Sequence, residues 1–110
     1  MTDPIRLKES EADFGKWFED YLDLKGHLWT HFKPAQWRGK TFTALSGRKG
    51  FPDYAIVTYT APSRFVTVEL KSTIGTLSPD QREWRDGLSM AGVEWHCFHP
   101  KDRDEIMRIL

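Results

Sequence analysis

The sequence predicts an α/β (α+β) fold with a mixed central sheet flanked by helices. Two segments, Gly50–Val57 and Phe65–Lys71, are rich in β-branched and aromatic residues and are bounded by Gly, Pro or Ser, as strands commonly are. The connector Thr60–Ser63 between them is short and turn-rich, so the pair is predicted to form an antiparallel hairpin. Helical patterns precede and follow it, and the 110 residues are expected to form one domain, 1–110.

The first helix is predicted between Ser10, a good N-cap, and Gly26, a good C-terminal cap. Its core-facing residues recur at helical spacing, namely Phe14, Trp17, Phe18, Tyr21 and Leu22. Glu11 lies about 50° from the centre of this face, and the other acids of the helix lie roughly 90° or more away. Glu11 is therefore predicted as the one acid of the helix on the core side; simple stabilisation by the helix dipole is the alternative.

Residues 27–49 have a weaker pattern. His27–Phe32 is predicted as a strand, Lys33–Lys40 as a loop, and Thr41–Leu45 as a short strand or an irregular segment. The stretch Ser46–Gly50 contains two glycines and is predicted as a flexible turn that lets the backbone approach a ligand.

The C-terminal half is predicted as helix, strand and helix. Ser78–Gln81 offers an N-cap Ser, a Pro at the first helical position and a Gln at the third, and this helix should end at Gly92. Val93–Phe98 is predicted as a strand and Asp102–Leu110 as a short helix. The side chains expected to face inward are Trp84, Leu88, Ala91, Ile106, Ile109 and Leu110.

Charge is balanced overall but unevenly distributed. The 16 basic and 16 acidic residues cancel, so the net charge indicates no partner. The interval between Asp23 and Asp53 contains no acid, and its basic residues are interleaved with aromatic ones. Such a region can hold a sugar–phosphate backbone, and the residues predicted to do so are Lys33, Arg38, Lys40, Arg48 and Lys49. A solvated basic loop, pinned to the core by its aromatic rings, is the alternative.

The single cysteine, Cys97, excludes an internal disulfide and suits a reducing cytosol. The N-terminus lacks a signal-peptide pattern, and no apolar segment approaches membrane-spanning length, so a cytoplasmic location is expected. A zinc site built from His27, His31, Cys97 and His99 is a weak alternative, because their spacing matches no closed zinc site.

Charged residues stand at the ends of the two central strands. Asp53, Glu69 and Lys71 are costly to desolvate there unless they neutralise one another or a cation. Oxygen-rich groups that converge in this way are what a hard divalent metal ion requires.

Three motifs carry a resemblance that covers nearly the whole chain. Gly-Phe-Pro-Asp at 50–53, Glu-Leu-Lys at 69–71 and Ser-Pro-Asp-Gln-Arg-Glu-Trp at 78–84, together with the acid of the first helix, resemble the PD-(D/E)XK nuclease superfamily. More narrowly, the chain resembles the small stand-alone VRR-NUC type of phages and bacteria. The resemblance implies a restriction-endonuclease-like core and a divalent-metal-dependent DNA endonuclease, in the cytoplasm of a bacterial host where a phage encodes it. It leaves open whether the enzyme is structure-specific, as a junction resolvase, a flap or single-strand nuclease or a nicking enzyme would be, or is a restriction-like cutter.

The resemblance also assigns roles to residues. The catalytic set that it implies is Glu11, Asp53, Glu69, Lys71 and Gln81. The ligands that it implies for Mg²⁺ or Mn²⁺ are Glu11, Asp53, Glu69 and the carbonyl of Leu70. Lys71 would orient the attacking water and offset charge on the phosphate. Gln81 has a competing role, because it can simply close a capping box with Ser78.

Two further expectations concern partners. The implied partner is DNA, and a homodimer is expected because the chain is small, is rich in aromatic residues and would need two sites to cut both strands. A nucleic-acid-binding module without catalysis, on the same fold, is the alternative, although such a module gains nothing from carboxylates that face phosphate.

Overall fold

The computed structural model describes residues 8–32, 35–37, 40–42 and 46–110. Its regular elements, in chain order, are α1 (Glu11–Lys25), β1 (Leu28–His31), β2 (Ala35–Trp37), β3 (Lys40–Phe42), β4 (Tyr54–Val57), β5 (Phe65–Leu70), α2 (Pro79–Met90), β6 (Glu94–Phe98) and α3 (Arg103–Ile109). A short 3₁₀ turn, Pro100–Asp102, leads into α3. The predicted α+β class, with a mixed sheet and flanking helices, is confirmed.

The main sheet has four strands in the order β1-β4-β5-β6. The predicted central hairpin is confirmed, because β4 and β5 are antiparallel with Tyr54 opposite Val68 and Val57 opposite Phe65. Strand β1 pairs antiparallel with β4, whereas β6 pairs parallel with β5. A parallel neighbour requires a crossover connection, and α2 supplies it.

The core lies between one face of this sheet and the helices α1 and α3. Phe14, Phe18 and Leu22, spaced by four residues along α1, have no exposed surface, so the predicted apolar face is confirmed. The sheet and α3 contribute the rest of the core, namely Tyr54, Ile56, Val66, Val68, Leu70, Phe98, Ile106 and Leu110. Strand β5 is buried along both faces from Val66 to Leu70. One consequence is that Glu69, which alternates with the core residues of β5, is also buried.

The two caps predicted for α1 are both present. Ser10 Oγ accepts a hydrogen bond from the Asp13 amide at 3.1 Å, and Gly26 ends α1 in the left-handed conformation with φ 75°. The inward position predicted for Ala91 is wrong, because α2 already ends at Met90 and Ala91 is its exposed C-cap. Among the described residues, no helix combines the length and apolar character needed to cross a membrane.

The loop predicted for Lys33–Lys40 is wrong in part. Strands β2 and β3 form a separate two-stranded antiparallel sheet in which Trp37 is opposite Lys40. Only two residues separate this pair, which is a common hairpin spacing, and the flanking aromatic and β-branched residues favour strands. The short strand predicted from Thr41 begins one residue earlier, and its predicted remainder, Thr43–Leu45, lies outside the described residues.

Gly50 provides a test of how the loop before Asp53 meets α2. Gly50 has φ +100°, and an added Cβ would lie 2.7 Å from the backbone carbonyl carbon of Asp80. Gly47 also has a positive φ, +93°, but faces open space. Both Gly→Ala changes incur the left-handed backbone cost of about 1–2 kcal/mol. Because only Gly50→Ala adds a clash, we expect it to lower the free energy of unfolding by at least about 1 kcal/mol more than Gly47→Ala.

Urea denaturation of the two variants and the parent measures this difference. An equal loss in both variants would show that the loop does not contact the start of α2 as closely as described.

Candidate active site

The site forms where β4 begins and β5 ends, because their antiparallel register brings these two ends together. The Leu70 amide donates a hydrogen bond to Asp53 Oδ2 at 3.0 Å. The backbone amide of the next residue, Lys71, bonds to the carbonyl of Phe98 on β6 at 2.9 Å. Asp53 is therefore fixed against the backbone that separates Glu69 from Lys71.

The carboxylate of Glu69 lies inside the protein and has two partners there. The residue is 2% exposed. Its Oε2 accepts a hydrogen bond from Gln81 Nε2 at 3.0 Å and lies 3.7 Å from the ammonium nitrogen of Lys71. Burial disfavours the ionised form of this carboxyl, and the two partners offset part of that cost.

The side chain of Gln81 contacts the candidate site and closes the helix cap at the same time. Its side-chain Oε1 accepts hydrogen bonds from Lys71 Nζ at 2.8 Å and from the backbone N–H of Ser78 at 2.9 Å. In return, Ser78 Oγ accepts a hydrogen bond from the backbone N–H of Gln81 at 3.2 Å. The capping box predicted with Ser78 is confirmed, and the same side chain also contacts two predicted site residues, Lys71 and Glu69. The helix cap holds the side-chain amide of Gln81 in place, and this side-chain amide in turn positions Glu69 and Lys71 relative to each other.

The acids of the site interact electrostatically. Burial, followed by the negative charge of Asp53 and a hydrogen bond with it, raises the pKa of Glu69 to about 9, although Lys71 acts in the opposite direction. Burial and then Asp53 also raise the pKa of Glu11, against the opposing effects of Lys71 and His31. Glu11, Asp53 and Glu69 thus form one acidic cluster whose members repel one another when ionised, and a nearby cation would relieve this repulsion.

A cleft of about 680 Å³ opens beside this cluster. The residues that line it are Glu11, Ala12, Gly15, Lys16, Glu19, His31, Asp53, Tyr54 and Leu70. Glu11 and Asp53 belong to both the cleft and this cluster, so a ligand in the cleft reaches the charged groups of these two residues, and Leu70 lines the cleft beside them.

Glu19 was not predicted as a site residue from the sequence. The prediction that Glu11 is the one core-side acid of α1 is therefore wrong. Glu19 Oε2 accepts a hydrogen bond from the Tyr54 hydroxyl at 2.6 Å and lies 2.9 Å from His31 Nδ1. Burial and then this bond raise the pKa of Tyr54. A signal was present, because Glu11, Gly15 and Glu19 are spaced by four and form one line along the helix. Gly15 lies against the Tyr54 hydroxyl, because a Cβ added there would be 3.4 Å from it, at the limit of ordinary van der Waals contact.

The residues predicted to bind nucleic acid are only partly described. Arg48 pairs with Glu83, and Lys49 Nζ lies 3.7 Å from Asp80 Oδ2; both basic side chains are exposed beside α2. Lys40 begins β3, and Lys33 and Arg38 lie outside the described residues. The nucleic-acid role of this group stays a prediction.

The groups considered for zinc have separate partners. His27 Nε2 lies 2.6 Å from the Leu110 carbonyl, whereas His99 Nε2 lies 2.8 Å from the Gly75 carbonyl. Burial raises the pKa of the Cys97 thiol to about 11. In the part of the chain that the structure describes, no three His, Cys, Asp or Glu side chains form a metal-binding group by themselves.

The donor set near Asp53 nevertheless has the chemistry of a hard-cation site. The negative charge of Asp53 acts on the carboxyl of Glu69, and the carbonyl of Leu70 lies between Glu69 and Lys71 in the chain. Glu11 is coupled to Asp53 through charge. Two carboxylates and a carbonyl, completed by water, suit Mg²⁺ or Mn²⁺.

Comparisons with known proteins give no match: neither a family model, nor a curated protein, nor a solved structure is significantly similar to this chain. The candidate site is therefore defined by its own geometry.

The raised pKa of Glu69 predicts how stability depends on pH in the metal-free protein. The carboxyl titrates near 4.5 in the unfolded chain and near 9 in the folded one, so the folded state binds this proton more tightly. The free energy of unfolding should therefore fall as the pH rises between these values. Glu69→Gln is expected to remove most of this fall, because its neutral amide can still accept the Gln81 hydrogen bond.

Chemical denaturation in EDTA at several pH values between 5 and 9 measures the effect. The matched control is Glu105→Gln, at an exposed acid of α3, which should leave the pH dependence of the parent unchanged. A parallel decline in Glu69→Gln and the parent would contradict the assignment.

Proposed function

We propose that the protein is a divalent-metal-dependent DNA endonuclease, with a restriction-endonuclease-like core of the VRR-NUC type. The observation that carries the proposal is the bridge by which one amide, that of Gln81, joins buried Glu69 to Lys71 beside Asp53. Burying such a set lowers stability unless a bound ion offsets the repulsion. Perturbed carboxyl groups beside a cleft are typical of functional sites.

The metal ion would be held by Asp53, Glu69 and the Leu70 carbonyl, with Glu11 close enough to add its charge. When bound, a divalent ion supplies Lewis acidity toward phosphate and water. Its charge also favours the ionised form of Glu69, whose pKa is raised to about 9.

Each polar residue of the site has a task in this proposal. Lys71, whose ammonium is held by Gln81 Oε1, would donate to a phosphate oxygen and stabilise the charge that develops there. Gln81 would keep this ammonium in place, since its own position is fixed by the helix cap. Asp53 would keep its orientation through the Leu70 amide.

The substrate would be DNA whose backbone follows the cleft, with Arg48 and Lys49 as outer contacts. The proposal also includes a homodimer and a cytoplasmic location. Exposed apolar residues on one side of the sheet support a dimer, since Leu28 and Phe65 are 57% and 51% exposed and border a second, apolar groove.

Lys71→Ala tests the proposal. We expect metal-dependent cleavage to fall by about 100-fold or more, because the variant loses the charge opposite the reacting phosphate. The assay incubates labelled duplex, single-stranded, flap and four-way-junction DNA with Mg²⁺, Mn²⁺ or EDTA. The thermal unfolding of the variant should show that it is folded.

The matched control is Lys101→Ala, at an exposed lysine beside α3, which should cleave as the parent does. Purified identically, the two variants also separate the protein's own activity from a contaminating nuclease. Cleavage by Lys71→Ala at the parental rate would refute the site. Binding without cleavage by the folded parent would instead indicate a nucleic-acid-binding module.

A further inference from the structure

His31 is held against the wall of the cleft by a polar network that the proposed chemistry does not require. Its Nδ1 lies 2.9 Å from Glu19 Oε2, and its ring stacks on that of Tyr54 with centroids 4.2 Å apart. The Tyr54 hydroxyl donates to the same Glu19 oxygen. Three elements, α1, β1 and β4, therefore cooperate to fix one imidazole.

This network determines which ring nitrogen of His31 is available to a ligand. Because Glu19 engages Nδ1, Nε2 is the ring nitrogen left for a ligand in the cleft, which His31 lines. An imidazole that carries a proton on both nitrogens can donate from Nδ1 to Glu19 and from Nε2 to an anion in the cleft. Half-buried stacking restrains the ring, so a donor here is pre-organised.

His31 is close to the proposed metal site. Its strand partner is Tyr54, and the amide of the next residue, Phe32, donates to the carbonyl of Asp53 at 2.8 Å. The charge of His31 acts on the carboxyl of Glu11. A group that contacts Nε2 therefore lies near the acids without replacing a metal ligand.

We propose that His31 and Lys16 form a subsite for a backbone phosphate of the DNA strand, adjacent to the phosphate that is hydrolysed. Among the residues that the structure describes, they are the two basic ones that line the cleft. Lys16 is paired only loosely, at 3.6 Å from Asp20, and both side chains are largely exposed, so the pair contributes little and Lys16 can turn to a ligand. The subsite rests on the proposed function.

The acids of the cleft are compatible with a phosphate in this position. The charge of Glu19 is met by the Tyr54 hydroxyl and by His31 itself. Glu11 and Asp53 belong to the cation site, where the ion would offset their charge. The two basic groups are thus the ones left to meet a second phosphate.

His31 could instead have a purely structural role, in which its Nδ1 only provides a hydrogen-bond partner for Glu19. That role depends on Nδ1 and not on Nε2. The amide of His31→Asn can replace Nδ1 and keep the Glu19 contact, but it cannot reach into the cleft. The longer His31→Gln places a donor near the position of Nε2 and loses the Glu19 contact. If His31 binds phosphate, His31→Asn should lose more DNA affinity than His31→Gln; if His31 only supports Glu19, the order should be reversed.

The experiment measures the dissociation constant for a short labelled DNA by fluorescence anisotropy, with Ca²⁺ as the oxygen-binding cation and with cleavage followed in parallel in Mg²⁺ and Mn²⁺. We expect His31→Asn to bind roughly tenfold more weakly than the parent, and His31→Gln to stay closer to it. Lys16→Ala should also weaken binding, whereas Lys25→Ala, at an exposed lysine at the end of the same helix, should not.

Parental affinity in His31→Asn, greater damage in His31→Gln, or no DNA binding by the parent would each overturn the subsite. If the parent cleaves DNA while His31→Asn binds normally, the subsite alone fails. If the variants follow the expected order but the parent cleaves no DNA in either metal, the endonuclease alone fails.

Discussion

The amide of Gln81 makes the contacts on which the rest of the site depends. Through its oxygen it accepts from Lys71 and from the backbone at the start of α2, and through its nitrogen it donates to Glu69. The helix cap, the buried acid and the lysine are therefore positioned by one planar group. Since α2 contributes no fully buried residue, polar contacts of this kind largely determine where its first turn lies.

Burying the carboxyl of Glu69 lowers the stability of the fold, and the hydrophobic core offsets this loss. Strand β5 is buried on both faces, so the acid that it carries has left water and shares its surroundings with Asp53. The aromatic and aliphatic core between the sheet and the helices α1 and α3 supplies the compensating stability. Gly50 adds a local condition, because only a residue without a side chain lets the loop before Asp53 meet α2.

Much of the fold was predictable because its signals are local. The apolar face of α1, the capping box of α2 and the short connector between β4 and β5 each follow from neighbouring residues. The β2–β3 pairing was missed because three-residue strands carry almost no periodicity. Ala91 was misplaced because the helical pattern continues one residue beyond the actual end of α2.

The candidate site was predictable in part for the same reason. Motif spacing brought Asp53, Glu69, Lys71 and Gln81 to attention, and the structure brings these four together. The network of Glu19, His31 and Tyr54 was missed because it joins three elements and depends on how α1 lies across the sheet. The double role of Gln81 was also hidden, since a sequence pattern shows which groups can bond but not how many partners each one has.

The central claim is that the polar cluster is built around a divalent cation. The most direct measurement is the anomalous difference density of Mn²⁺ in crystals of the protein grown with this ion. We expect one strong peak in contact with the carboxylates of Asp53 and Glu69 and the carbonyl of Leu70, with Lys71 still on Gln81. Fully occupied Mn²⁺ elsewhere, with no peak between these two acids, would contradict the account.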